Sequence, residues 1–560
     1  MFNIIIFITF YSTVIFSVLG YGYLGINFSK QKHISSNLGY IGLVGILFLI
    51  IISYISHFFV SHSYIFNSLI LIIGLFLFAF ETLKDKKFFK KKNIKLLILV
   101  FVILFLGIMM HKTHDDFSYY HFPYTYYLTQ SDIHIGVGNF GHGFRTSSSI
   151  FYLNSLFYLP LVKYYLFQLG AILIMGFSNL ILLEKIFLEI KKKDISYLTY
   201  LSLLSFVFIN VFFYRIQEHG TDKSAQILIF ILFIELLSLK NLKVLFHETF
   251  SKIIIILTLI ISFKSFYILY SIFLIPLAIY LLNSKKINQV NYLFKNFFVY
   301  FFVVTIFLVS IISILNSGCL VYPVSFTCFD NFSWSIPISE VNNMNNWYEQ
   351  WSKAGAGPNF RIENPEIYIQ KFNWVNHWFE YYFFNKVSDF LWGVFFVVLL
   401  FIIVFYSKNR KKLNKDNFYF EYYVILLILF IEWFYNHPAL RYGGYTLIVL
   451  MIFYPLSYGL QAFRNSQKKI KKTVILLLSI TAFIFAYRNI DRLFDERTIY
   501  NYKPEINIFY KVDNNHFRVE REFNKLIKNY QNCLKINYEC KKNIKVNMFL
   551  NKYIFLNEKK

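Results

Sequence analysis

Apolar runs of around 18 to 20 residues recur along the chain, and each is long enough to cross a hydrocarbon layer about 30 Å thick as an α-helix. So many runs cannot all be buried in one soluble core. The 560 residues are 57% hydrophobic, 21% aromatic and 16% charged, and the mean hydropathy is +0.49. A soluble domain is about 45–50% apolar and about 25% charged. The expected fold is therefore an all-α polytopic integral membrane protein of about 12–14 transmembrane helices.

A net charge of +25 would suit a nucleic-acid partner only if the basic residues covered one face, but here they form short clusters between apolar runs. That is the pattern of cytoplasmic loops, so the expected partner is the bilayer and no nucleic acid. The clusters are Lys84 to Lys95, Lys191 to Lys193, Lys285 and Lys286, Lys408 to Lys415, and Lys468 to Lys472. Fixing them inside predicts outer loops at about 111–160, 214–222, 316–385 and 436–445. Spans are expected near 2–20, 39–58, 64–82, 96–110, 161–182, 196–213, 224–239, 252–265, 266–283, 297–315, 386–406, 418–435, 445–462 and 473–487. Lys264 interrupts the run over 252–283, which reads as a tight hairpin or one bent helix.

The first apolar run lacks a basic lead and a small-residue cleavage site, so it reads as a retained helix. Residues 1–487 are expected to form one multi-span domain, and 488–560 a small extramembrane tail on the outer, periplasmic side. The cysteines fall in two close pairs, Cys319 with Cys328 and Cys533 with Cys540. Short loops closed by disulfides suit an oxidising compartment; four free thiols are the alternative.

The first outer loop opens HKTHDDFSYYHFP directly after an apolar span, which sets Asp115 and Asp116 at the membrane surface. Neighbouring carboxylates repel, and one is raised toward the range of a general base. The plainer reading is a solvated helix end, with His114, His121 and the tyrosines in an interfacial aromatic belt. RIQEHGTDK carries Asp222 and Lys223, and GHGFRTSSS carries His142 and Arg145 on a loop too rich in glycine and hydroxyls to span. In NHPALRYGGY, Arg441 precedes Tyr442 and two glycines, an arrangement that could hold a guanidinium fork for a phosphate at headgroup level. A snorkelling arginine is the competing reading, as a helix cap is for Asp222. No metal motif of established spacing occurs. The carboxylates Asp115 and Asp116 could take a divalent cation such as Mg or Mn through oxygen, but nothing requires one.

THDDFSYYHFP and HPALRYGGY together resemble the GT-C superfamily of integral membrane glycosyltransferases, whose acidic residues lie in the first large outer loop and whose phosphate contact is a basic residue near a later helix end. GNFGHGFRTSSSIFYLNSLFYLP, SGCLVYP and NCLKINYEC look like a bacterial branch placed near that superfamily. One departure is that about four helices precede the acidic loop, where the superfamily has one. The resemblance implies a GT-C-like architecture in a bacterial inner membrane and an inverting transferase acting on the periplasmic face in cell-envelope glycan assembly. Its donor would be a polyprenyl-phosphate-linked sugar, and its acceptor a glycan, lipid or protein. Asp115 or Asp116 would be the base, and His114, His121, His142, Arg145, Asp222, Lys223, Arg441 and Tyr442 would contact substrate. The alternatives are an O-antigen polymerase or ligase, and a transporter or flippase for lipid-linked glycans.

Overall fold

The computed structural model describes residues 2–31, 37–84, 91–191, 195–241, 246–283, 292–356, 362, 364–410, 412, 419–509, 544–549 and 552–557. Cys533 and Cys540, Lys285 and Lys286, and parts of the lysine clusters at 84–95, 191–193 and 408–415 lie outside the described residues.

The chain is a bundle of helices: α1 (Phe2–Ser29), α2 (Leu38–His57), α3 (Tyr64–Lys84), α4 (Lys91–Ile108), α5 (Leu169–Glu189), α6 (Tyr197–Phe212), α7 (Asp222–Asn241), α8 (Phe246–Phe263), α9 (Ile275–Asn283), α10 (Phe297–Ser317), α11 (Ser388–Phe405), α12 (Phe420–Asn436), α13 (Gly444–Leu460) and α14 (Gln467–Tyr500). Among the described residues, eight helices are long and apolar enough to cross a membrane. This is a multi-pass membrane protein.

Helix α5 is buried all round and α2 and α8 nearly so, whereas α3 buries little of its surface and leans on α1. A helix apolar on every side belongs in the middle of such a bundle. Glycine lets α1 meet two neighbours at backbone distance: a Cβ on Gly20 would lie 1.9 Å from Gly74 O of α3, and one on Gly45 of α2 would lie 1.9 Å from Val18 O. Close backbone approach is how helices gain packing in lipid, where no hydrophobic drive joins them. Inside the bundle, Glu235 of α7 accepts from Lys185 of α5 at 2.7 Å and from the Tyr40 hydroxyl of α2. A charge at that depth requires such partners.

The bundle has two distinct ends. At one, Gln467 donates to Lys191 O (2.8 Å), Ser407 to Arg464 O (2.7 Å) and Asn27 to Glu81 (2.6 Å), so segments beside the lysine clusters meet. The long loops gather at the other. The run over 252–283 is two segments: α8 stops at Phe263, Lys264 is extended (φ −154°), and a 3-10 helix, Ser265–Leu274, leads into α9.

Two predicted spans are corrected. The fifth begins at Leu169 and not 161, because Leu161 and Lys163 turn with positive φ and Lys163 N–H bonds Leu159 O. The last helix runs unbroken past 487 to Tyr500, and its outer turns carry Arg488, Arg492 and Glu496 into the loop layer. The predicted loop 316–385 contains a helix, Ile338–Lys353. Near the C-terminus an antiparallel hairpin, β1 (Ile544–Phe549) and β2 (Lys552–Asn557), pairs Ile544 with Asn557 and packs on the first loop. There Ile135 N–H donates to Tyr553 O and Phe555 N–H to Ile135 O, both at 2.9 Å.

Candidate functional site

The turn between α12 and α13 is held by side chains from all around it. Trp378 Nε1 donates to Pro438 O (3.1 Å), Trp433 Nε1 to Ala439 O (3.0 Å) and Gln226 Nε2 to Arg441 O (2.7 Å). Ala439 N–H and Leu440 N–H donate to Ser352 Oγ (3.1 Å) and Tyr382 Oη (2.9 Å). With its buried backbone groups paired, the turn is rigid. Gly443 closes it at φ +104°, where a Cβ would also lie 2.8 Å from Tyr270 Oη.

That turn presents Arg441 beneath the first loop. Its guanidinium lies over the Trp351 ring (4.9 Å) and the Tyr442 ring (5.4 Å), and its Nη2 donates to Asp116 Oδ2 at 2.9 Å. Its Nε is 3.6 Å from Asp222 Oδ2, beyond a hydrogen bond, and is buried with no hydrogen-bond partner. Asp222 opens α7 but does not cap it: its carboxylate takes the Lys264 ammonium. The Lys264 ammonium also lies 4.4 Å from the Tyr442 ring centroid. Two carboxylates and two cations thus alternate where four segments meet.

Burial would raise the Asp116 carboxyl, but Arg441, His114 and His121 outweigh it and hold the group below its ordinary range. Burial would lower the Arg441 guanidinium, and Tyr442, Asp222 and Asp116 reverse this and raise it. Burial pulls the His114 imidazole down, against Asp116 and with Arg441, and takes His121 down to about 3. Asp116 N–H donates to His114 Nδ1 at 3.0 Å, and the His114 and His121 rings lie 5.9 Å apart.

A cavity of about 240 Å³ lies beside this cluster. Arg441, Lys264, His437 and Tyr442 are in its wall, as are Arg145, the segment Val321 to Val324, and hydroxyls and an amide from Ser147, Ser148 and Asn345. The Cys319–Cys328 disulfide closes the loop that carries Val321 to Val324. Arg145 is fixed by Gly138 O (2.9 Å), Tyr322 Oη (3.2 Å) and Glu340 (2.7 Å).

The expected residues therefore separate. His114, Asp116, His121, Asp222, Arg441 and Tyr442 come together, and Arg145 lines the cavity. Asp115 is exposed and, among the described residues, has no ion pair with the cluster. Lys223 is not in the cavity wall and lies among Glu218, Arg215 and Arg492. His142 meets Met344 Sδ at 3.2 Å, also outside the wall. Lys264 and His437 were not singled out as site residues; a lone lysine inside a long apolar run was the available signal. Among the described residues, no three His, Cys, Asp or Glu side chains gather closely enough to hold a metal ion. Arg441 occupies the place between Asp116 and Asp222 where a cation would sit.

Fold and site define a multi-pass helical membrane protein with a charged cavity among its long loops. Residues 1–448 match the family described as a domain of unknown function (DUF8201), and the chain belongs to that family. The match takes in every residue of the cavity wall. No curated protein and no solved structure matches the chain.

Proposed function

We propose that the protein is an inverting glycosyltransferase of GT-C kind that takes a sugar from a polyprenyl phosphate at the periplasmic face of a bacterial inner membrane. The observation that carries this reading is Arg441 with Lys264 in the wall of a loop-end cavity, each already bound to a carboxylate. Two fixed cations there suit a phosphate at headgroup level, and hydroxyls and an amide suit a sugar. The volume falls below the about 300–1,000 Å³ of sites for drug-sized ligands, which suits a single sugar residue.

In this scheme the acceptor hydroxyl attacks the anomeric carbon as the bond to the phosphate oxygen breaks. The electron pair leaves with the lipid phosphate, where Arg441 and Lys264 offset the new charge, and the hydroxyl proton passes to Asp116. Stabilisation of the leaving group is a large term in such a reaction. Asp116, not Asp115, is the base, because only Asp116 belongs to the cluster.

The test is label transfer from a pool of polyprenyl-phosphate sugars in membranes holding matched protein levels. Transfer is expected in wild type and Asp115→Ala, and is lost in Asp116→Ala and Arg441→Ala. Loss in Arg441→Ala alone points to a polymerase or ligase relying on arginine. The flippase reading draws on Lys264 at a helix break and on Glu235 within the bundle, features also used by transporters. It predicts lipid-linked glycan movement in vesicles with no transfer.

A further inference from the structure

Arg441 is a fork only partly used. Its Nη2 is taken by Asp116, while the neighbouring Nε is buried, stands 3.6 Å from Asp222 Oδ2 and has no hydrogen-bond partner. A phosphate oxyanion binds such a fork through two parallel hydrogen bonds, whereas a carboxylate held by one nitrogen leaves the second donor unused. A buried donor without a hydrogen bond is costly, so the arrangement favours a ligand that fills both positions. His437 lines the same wall, and its Nδ1 too is buried with no hydrogen-bond partner.

The charges point the same way. Asp116 and Asp222 neutralise Arg441 and Lys264. A phosphate added to this set would meet two carboxylates, and one must give way. Lys264 and Asp222 are the more enclosed pair, on the helix break and at the start of α7. Asp116 sits on the first loop, bonded to cavity-lining Arg441, and is 27% exposed. Asp116 is therefore the group that can leave.

We propose that the Asp116 carboxylate is an internal placeholder for a phosphate: a phosphorylated lipid enters by taking the Arg441 fork from Asp116, with His437 as an added donor. This rests on the phosphate-donor reading above and deepens it. Ligand binding frees the carboxylate that the transfer step uses as base, so an empty site keeps its base tied to Arg441.

The experiment uses the full chain in detergent and measures binding by isothermal titration calorimetry. Probes are farnesyl phosphate, inorganic phosphate and farnesol, against wild type, Asp116→Asn, His437→Ala and Arg441→Gln. Asp116→Asn is expected to bind farnesyl phosphate at least about 5-fold more tightly than wild type while sugar transfer is lost. His437→Ala binds it more weakly, Arg441→Gln fails to bind, and farnesol binds none of them. Inorganic phosphate following the same order identifies the phosphoryl group as what is recognised; farnesol binding as well as farnesyl phosphate overturns that. Equal or weaker farnesyl phosphate binding by Asp116→Asn overturns the proposal. Should that variant not fold, Asp116→Ala is read in the same way. Tighter binding in the aspartate variant without transfer in wild type keeps the phosphate site and removes the transferase reading; transfer with no gain in binding does the reverse.

Discussion

Arg441 Nη2 and Asp116 Oδ2 lie 2.9 Å apart although 325 residues separate them in the chain. This contact joins the first loop to the α12–α13 turn. Everything the site can do depends on two segments that each have a separate structural support: Glu496 and Gln217 beneath the loop, Trp378 and Trp433 around the turn.

Replacing Arg441 by lysine keeps the charge and removes the fork. Transfer from a lipid-phosphate sugar is expected to fall by about 10²–10³ in kcat. A kinetic assay showing near wild-type turnover in Arg441→Lys would falsify a role for the planar group.

Gly443 and Gly459, at opposite ends of α13, make a paired test. Alanine at Gly443 meets a positive φ and the Tyr270 hydroxyl, and is expected to destabilise by about 1–2 kcal/mol and to displace Arg441. A Cβ at Gly459 meets nothing within 4 Å. Thermal unfolding and transfer should drop in the first and hold in the second.

Breaking the buried pair at Glu235 leaves Lys185 uncompensated inside the bundle. Glu235→Ala is expected to cost about 3–5 kcal/mol, and Glu235→Gln with Lys185→Met to recover much of it. Unfolding temperatures in detergent decide this. Equal losses in the single and double variants would contradict it.

Acid should loosen the loop layer before it reaches the carboxylates. Burial takes His121 and His219 down to about 3 and His437 down to about 4, from 6.5. Buried neutral histidines add stability that is full above 6.5 and is lost as pH falls from there toward the folded values. Asp116, held below 3.8, adds stability that is present above that value and lost only below it. The unfolding temperature is thus expected to fall between pH 6.5 and 5; a flat profile across that interval would count against it.

Cys319→Ser with Cys328→Ser removes a closure over nine residues, worth about 2–3 kcal/mol on a loop-entropy basis. Tyr322 is then free to leave Arg145. The expected result is a higher KM for the donor with kcat less affected; an unchanged KM would separate this loop from the cavity.

The helical bundle was legible because lipid imposes one repeated demand, a long apolar run, and the lysines mark where runs end. The break at Lys264 showed as a charge in such a run, though its extended backbone did not. Arg441, Asp116 and Asp222 were legible as charges at span ends. That Asp116 and not Asp115 meets Arg441 was not, because the choice follows from the turn over 111–116, held by Gln217 and Glu496 from distant segments. His437 and Tyr322 gave no signal, since a loop histidine or tyrosine is ordinary until its neighbours are known.

The C-terminal hairpin has a consequence in time. Lys552 pairs with Asp132 across 420 residues, beside the strand contact of β2 with Ile135. At about 5–20 residues per second of synthesis, the first loop emerges about 20–80 s before the segment that braces it. Through that interval Gly138, whose carbonyl receives Arg145, sits in a loop that still lacks this support. The loop that supplies the acceptor for Arg145 therefore gains its last brace only once the hairpin has been made.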